Sequence, residues 1–439
     1  MVIKIQYVFT FTIADEKIKI NDIIAILYKL MKDALKVTSE QVYRQLEDAF
    51  YIKHIGPFQQ GKRRRIYNKL PFSCPQCGEG EHFSYHGFFS KPRRLWIRWG
   101  KIFFLARRIK CGGCGHHFSP FLQFLGVEPY VRRAADLKDM AASLICDFSF
   151  GKVVKAFKTL LGFVVSKGWV HKVVKEYEVD FGHNENANGY MVDGTGENVC
   201  PQKRGKELRL IGEITRYGKL IIRSAVIKPY KSSWDSLVKI LRKTKTERPL
   251  VEADGDEEIK KAVFKGNPRA IFQRCKWHVL HHLKWLFWNQ DVPKPLRREV
   301  FYILLNALKM RKGINFNTVN KDIIKRKGEY LLALAHWMDE KGYMEIGNYI
   351  REASLYVFSI VTEKLPTHVR WDSSIGKMER LMRELNLRTD IGGARWSEEG
   401  MLRVIRLKCA KLTNPDAWQR VMKFMPGIQN EEIYLENAA

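Results

Sequence analysis

A chain of 439 residues, 45% of them apolar, can bury sizeable cores over two to four domains, which excludes a disordered or low-complexity chain. Lys and Arg number 76 against 47 Asp and Glu, and the resulting net charge of +29 calls for an anionic partner, nucleic acid above all. No run reaches the apolar length of a membrane span and no basic-then-apolar signal opens the chain, so the expected location is cytoplasmic and nucleoid-associated, with no membrane partner.

Residues 1–69 read as an N-terminal helical region with a basic linker: a strand over Ile3–Ile13, amphipathic helices over Asn21–Leu35 and Ser39–Phe50, then Gly61–Ile66 carrying Arg63, Arg64 and Arg65. The helices carry no recognisable chemistry and are expected to serve packing or dimerisation. Charge is uneven here, with 16 basic and 3 acidic residues between Lys53 and Arg133. A solvated basic surface or an RNA-binding role would account for that excess equally well.

Residues 70–125 contain Cys74-x2-Cys77-Gly and Cys111-x2-Cys114-Gly around a hairpin-like stretch. Structural zinc takes four thiolate or imidazole ligands in a tetrahedron, and two such knuckles close one site. The spacing predicts a zinc ribbon; His116 and His117 are near enough to replace a cysteine, but four thiolates suffice. Between the knuckles, Arg93, Arg94 and Arg98 interleave with Trp96 and Trp99, a pattern suited to gripping phosphates, although some of these aromatics must fill the ribbon's own core.

Residues 130–182 read as three helices. Phe150–Leu161, a Gly162 turn and an N-cap Ser166 opening Lys167–Tyr177 form a candidate helix-turn-helix, whose Lys167, Trp169, His171 and Lys172 would face a major groove. An ordinary helical bundle with a polar face is the competing reading.

From Tyr190 the pattern turns to strands: 190–197, 207–215, 219–227, Leu250–Asp254 and Ala270–Cys275, with a helix near Ser233–Leu241. Residues 188–278 and 372–420 form the expected α/β core, 279–371 an all-helical insertion and 421–439 a tail. Asp193 and Asp254 fall at the ends of the first and fourth strands, each before a glycine, and Glu379 lies in a late helix beside its apolar stripe. Three such acids brought together would hold two magnesium or manganese ions for phosphodiester chemistry. Each alone has an ordinary explanation as a turn or a solvated charge, and Glu252, Asp256 and Glu384 are rivals. Cys275 and His278 read either as support for that site or, with His281 and His282, as a second zinc site. Trp277, Trp285, Trp288 and Trp337 read as core.

The order of strand-Asp-Gly, two strands, helix, strand-Asp-Gly, Cys275-Lys-Trp-His278, a long helical insertion and Met378-Glu379-Arg380-Leu381 resembles the Mutator-like superfamily of insertion-sequence transposases. The stretch Gly392–Gly400 and the cysteine ribbon running into Pro120 are also similar to prokaryotic branches with an N-terminal zinc ribbon, so the resemblance spans roughly residues 70–420. It implies an α+β multidomain chain with an RNase H-like core on a mixed five-stranded sheet, and catalytic Asp193, Asp254 and Glu379 on two Mg²⁺ or Mn²⁺ ions. It also implies supporting roles for Cys275 and His278, double-stranded DNA (element ends and target) as partner, and a homodimer or higher oligomer. The expected activity is DNA transposition: nicking at terminal inverted repeats and joining of the freed 3′-hydroxyls to target DNA. Two alternatives stay open, a non-catalytic zinc-ribbon regulator descended from a transposase and an RNase H-like nuclease acting on RNA or branched DNA.

Overall fold

The computed structural model describes residues 20–56, 65–66, 70, 72–127, 131–200, 205–309, 321–363, 375–392 and 394–422. The expected Ile3–Ile13 strand, Arg63, Arg64, the Arg65 side chain and residues 423–439 of the tail lie outside them. The described chain falls into two compact units, one of residues 20–142 and Phe150–Val170, the other of Ser143–Ser149 and His171–Met422.

The first unit opens on α1 (Ile20–His54), one 35-residue helix where two were expected. The Thr38-Ser39 pair reads as a break, but both hydroxyls donate back one turn, to Ala34 O at 2.8 Å and Leu35 O at 2.7 Å, and the helix runs through. Next come β1 (Arg65–Ile66), β2 (Phe83–Phe88), β3 (Arg93–Ile97), β4 (Gly100–Phe104), β5 (Arg107–Cys111), β6 (His117–Phe118) and α2 (Pro120–Phe124). Strands β1-β2-β5-β6 form one antiparallel sheet, and β3 and β4 a separate hairpin.

Helix α1 completes this sheet's core. Tyr43, Glu47, Phe50 and Tyr51 recur on one helical face and are buried with Phe83, Phe104, Ile109 and Phe121. Tyr43 stacks on Phe104 at 3.9 Å between ring centroids. Buried Glu47 accepts hydrogen bonds from the Arg107 amide (2.9 Å) and the Tyr43 hydroxyl (3.3 Å). Burial raises the Glu47 pKa, and those two donors oppose the rise.

The chain continues through α3 (Ala135–Ile145), α4 (Phe150–Ala156), a π-helical turn (Phe157–Leu161) and α5 (Lys167–Glu176). The expected helix to Leu161 thus ends as a wider turn, closed by Gly162 at φ 71°. Ser166 caps α5 as expected, its Oγ accepting from Trp169 N at 3.1 Å.

The second unit carries β7 (Gly189–Glu197), β8 (Lys206–Ile214), β9 (Leu220–Pro229), α6 (Asp235–Lys243), β10 (Leu250–Ala253), α7 (Glu257–Gly266) and β11 (Ile271–Arg274). The strand order is β11-β10-β7-β8-β9, with β8 antiparallel to both neighbours and β10 parallel to β7 and β11. Tyr190, Val192, Val251, Ala253 and Phe272 alternate onto one face, where they are buried with Trp234, Leu237 and Leu241 at α6 and Ile259 and Val263 of α7. Helices α8 (Lys276–Asn289), α9 (Lys294–Leu308), α10 (Lys321–Glu340), α11 (Met344–Tyr356) and α12 (Ser359–Thr362) follow, then α13 (Gly376–Thr389), α14 (Glu398–Thr413) and α15 (Pro415–Val421). On the second face of the sheet, Gln273 ties these helices down by donating to Val357 O and accepting from Ile360 N, each at 2.8 Å. No helix among the described residues is long and apolar enough to cross a membrane.

Candidate functional site

The four ribbon cysteines converge, with all four sulfurs within 4.8 Å of one another. Cys74 and Cys114 Sγ are 3.6 Å apart, as are Cys77 and Cys111 Sγ. A tetrahedral zinc with Zn–S bonds of about 2.3 Å sets its sulfurs about 3.8 Å apart, so the cluster fits that ion with almost no rearrangement. The glycine after each knuckle is required: Gly78 and Gly115 take φ of 77° and 74°, and their amides donate back to Cys74 O and Cys111 O. Burial opposes ionisation of Cys74, but the Cys77 and Gln76 amides and the facing thiols outweigh it and bring its pKa down to about 7.

The basic residues singled out in the ribbon have different surroundings. Arg94 is exposed, Arg93 donates to Val131 O at 3.0 Å, and Arg98 lies 3.8 Å from the Asp136 carboxylate. On α5, Lys167, His171 and Lys172 are exposed, while Val170, Val173 and Val174 are buried. Trp169 is half-buried, edge-on to Phe157 with the Arg133 guanidinium over its ring, and so is part of the local packing.

In the sheet, register decides which acids meet. Asp193 was expected at a strand end, but β7 pairs with β8 as far as Glu197, so it sits mid-strand. The β10–β7 ladder ends at Glu252 opposite Met191, and the same register two residues on sets Asp254 level with Asp193. The β10–β11 ladder ends at Ala253 opposite Arg274, and one residue on sets Cys275 level with Asp254. Asp254 and Cys275 each directly follow the last residue of their strand, and Asp193 lies on the adjacent β7. Helix α13 approaches the sheet, with Met378 against Gly212 and Glu379 one position on.

The glycines after the two aspartates leave room for neighbouring side chains. A Cβ on Gly194 would lie 2.3 Å from Glu207 Oε1, and one on Gly255, at φ 100°, would lie 2.4 Å from Arg274 Nε. Neither Glu207 nor Arg274 stands out in the sequence as part of this site. Alternation along β8 was the available sign for Glu207; nothing local marked Arg274.

Electrostatics identify the acids that share the site. Burial first, then the Asp254 charge, and also Glu379 and Glu207, push Asp193 up to about 8 against the Gly194 amide that bonds it. Burial and Asp256 raise Asp254, while the Asp256 amide and Arg274 hold it down. Burial raises Glu379, with Arg383 and His281 opposing. The rivals separate: Asp256 caps α7 through the Glu258 and Ile259 amides, Glu384 is exposed, and Glu252 is wholly buried on the same face as Asp254.

Glu379 also meets Cys275 and His278, whose ligand atoms all lie within 4.8 Å of one another. His281 and His282, the partners considered for a second zinc, are outside that group; His281 stacks on Trp277 and His282 packs against Tyr349. The tryptophans expected in the core are mostly outside it, since Trp277, Trp285 and Trp288 are exposed and Trp337 is half-buried. No protein-family model matches this chain, and none of the curated proteins searched matches it significantly.

The Asp193 environment yields a stability test. Without a cation, the folded chain holds the Asp193 proton up to about pH 8, against 3.8 for an ordinary carboxyl. The folded state therefore binds that proton more tightly than the unfolded state and loses stability as pH rises through this window. Asp193→Asn removes the loss, so thermal unfolding without divalent cations should find the variant more stable at pH 8 by about 5 kcal/mol, at about 1.4 kcal/mol per unit of the gap, and nearly equal to the parent at pH 4. Mg²⁺ should stabilise the parent more than the variant. Equal stability at pH 8 would mean the neighbouring acids do not repel Asp193.

Proposed function

We propose that the chain is a DNA transposase of the Asp-Asp-Glu type, with a zinc ribbon and helix-turn-helix for DNA binding and an RNase H-like nuclease core. The observation that carries this reading is Asp193 on β7 beside Asp254, which directly follows the adjacent parallel β10, with the Asp254 and Glu379 charges both acting on the Asp193 carboxylate. Numbered from β7, the strand order 5-4-1-2-3 with only the second strand reversed supports an RNase H-like reading of this mixed sheet. It agrees with the resemblance to Mutator-like transposases drawn from the motifs.

Asp193, Asp254 and Glu379 would hold the magnesium or manganese ions, and like charges crowded together are what such cations relieve. When bound, the ions supply charge neutralisation and activation of water or a 3′-hydroxyl for in-line attack on phosphorus. The protein's own part is to fix the three carboxylates, with Arg274 beside Asp254 limiting their repulsion. Cys74, Cys77, Cys111 and Cys114 would hold structural zinc. Arg94, Lys167, His171 and Lys172 supply exposed groups for phosphates or bases.

The test is nicking of a supercoiled plasmid that carries the DNA flanking this gene. Mg²⁺-dependent nicks at the borders of an inverted repeat, followed by strand joining, are expected. With six to ten phosphate contacts, affinity for those ends should fall about 10³–10⁵-fold between 50 and 200 mM salt. Tight end binding without nicking in Mg²⁺ or Mn²⁺ would make the protein a non-catalytic regulator.

A further inference from the structure

A carboxylate-only magnesium centre leaves the convergence of Cys275, His278 and Glu379 unexplained. We infer that Cys275 Sγ, a His278 ring nitrogen and one Glu379 carboxylate oxygen, its other oxygen left for the Asp193–Asp254 centre, are the three protein ligands of a second, zinc-class ion, with a fourth position open to solvent or substrate.

Geometry comes first. The three ligand atoms lie within 4.8 Å of one another, and His278 Nδ1 is 3.8 Å from Glu379 Oε1. That separation is too long for a hydrogen bond. A tetrahedral ion with bonds of about 2.0–2.3 Å spaces such ligands about 3.4–3.6 Å apart, so small side-chain rotations close the site. Among the described residues, His278 Nδ1 and Glu379 Oε1 are both buried without a hydrogen-bond partner, a costly state for two polar atoms facing each other that a shared ion would resolve.

The local fold presents the ligands. Cys275 is the N-cap of α8 and is wholly buried, which places its sulfur at the start of the helix that carries His278. His278 follows in the first turn of α8, its ring held edge-to-face by Trp277 at 4.9 Å. Glu379 arrives from the first turn of α13.

The chemistry selects the ion. Sulfur and imidazole suit zinc, and Mg²⁺ prefers oxygen, so this site differs in kind from the Asp193–Asp254 pair. Three protein ligands and an open position match zinc sites that keep an exchangeable ligand.

The full-length protein, dialysed against metal-free buffer, should retain two zinc ions per chain by elemental analysis. Cys275→Ala and His278→Ala should each lower this to one, and so should Cys74→Ser with Cys77→Ser. With the ribbon site removed, Co²⁺ should still give a thiolate-to-cobalt charge-transfer band that adding Cys275→Ala abolishes. If the cysteine variants do not fold, the parent stoichiometry and Glu379→Gln decide, the latter losing at least about tenfold in affinity for one zinc in a chelator competition. One zinc in the parent, or two retained in Cys275→Ala, or unchanged affinity in Glu379→Gln, overturns the inference. None of these measurements involves DNA, so two zinc ions in a protein that nicks nothing would sink the transposase reading alone.

Discussion

Asp193→Asn, Asp254→Asn and Glu379→Gln are each expected to reduce nicking and strand transfer by at least about 10³-fold, or about 4 kcal/mol of barrier, with end binding nearly unchanged. Each replacement preserves shape and removes one charged oxygen ligand from a site where like charges already strain the metal-free state. Asp193 lies on β7 and Asp254 directly follows β10, and the two carboxylates act on each other electrostatically. Glu384→Gln is the internal control: Glu384 is exposed on the same helix as Glu379 and should leave cleavage intact. Quantifying nicked plasmid against time for the four variants decides the matter. Normal cleavage by Glu379→Gln, or loss of cleavage in Glu384→Gln, would mean that the third acid is misassigned.

Zinc removal from the ribbon should have the other large effect. Apparent binding energies of structural zinc in finger peptides run to about 10–16 kcal/mol, as much as the whole stability of an ordinary domain. Cys74→Ser and Cys111→Ser, which alter buried thiols, are expected to expose residues 72–118 to protease and to weaken DNA binding. Limited proteolysis with and without a chelator, read by mass spectrometry, checks this. Ribbon peptides equally protected in both conditions would show that the protein core holds the knuckles unaided.

Much of this architecture was legible beforehand because its signals are local. Alternating apolar residues marked all five strands of the sheet to within about two residues, and the doubled C-x2-C-Gly spacing marked the ribbon. The end of the fourth strand was readable for the same reason, with Asp254 one residue past the last residue of β10. What stayed hidden depends on partners distant in the chain. Cys275 and His278 acquire their third neighbour only because α13 docks on the sheet about a hundred residues later. Thr38-Ser39 looked like a helix boundary because hydroxyl back-bonding has no signature in composition. Trp277, Trp285 and Trp288 were assigned to the core because large apolar rings usually go there, and only the solvent-facing side of α8 shows otherwise.

The way α1 completes the ribbon changes what counts as a separable piece of this protein. A fragment begun just before Cys74 would keep every cysteine yet lose Tyr43, Phe50 and Tyr51, three of the eight buried aromatic residues of the cluster in which Phe104 and Phe121 pack. It would also leave the Arg107 amide without the Glu47 carboxylate that it bonds. The knuckles are thus not a transferable cassette: the smallest heritable module is helix plus ribbon, and a graft onto another protein would have to begin near residue 40.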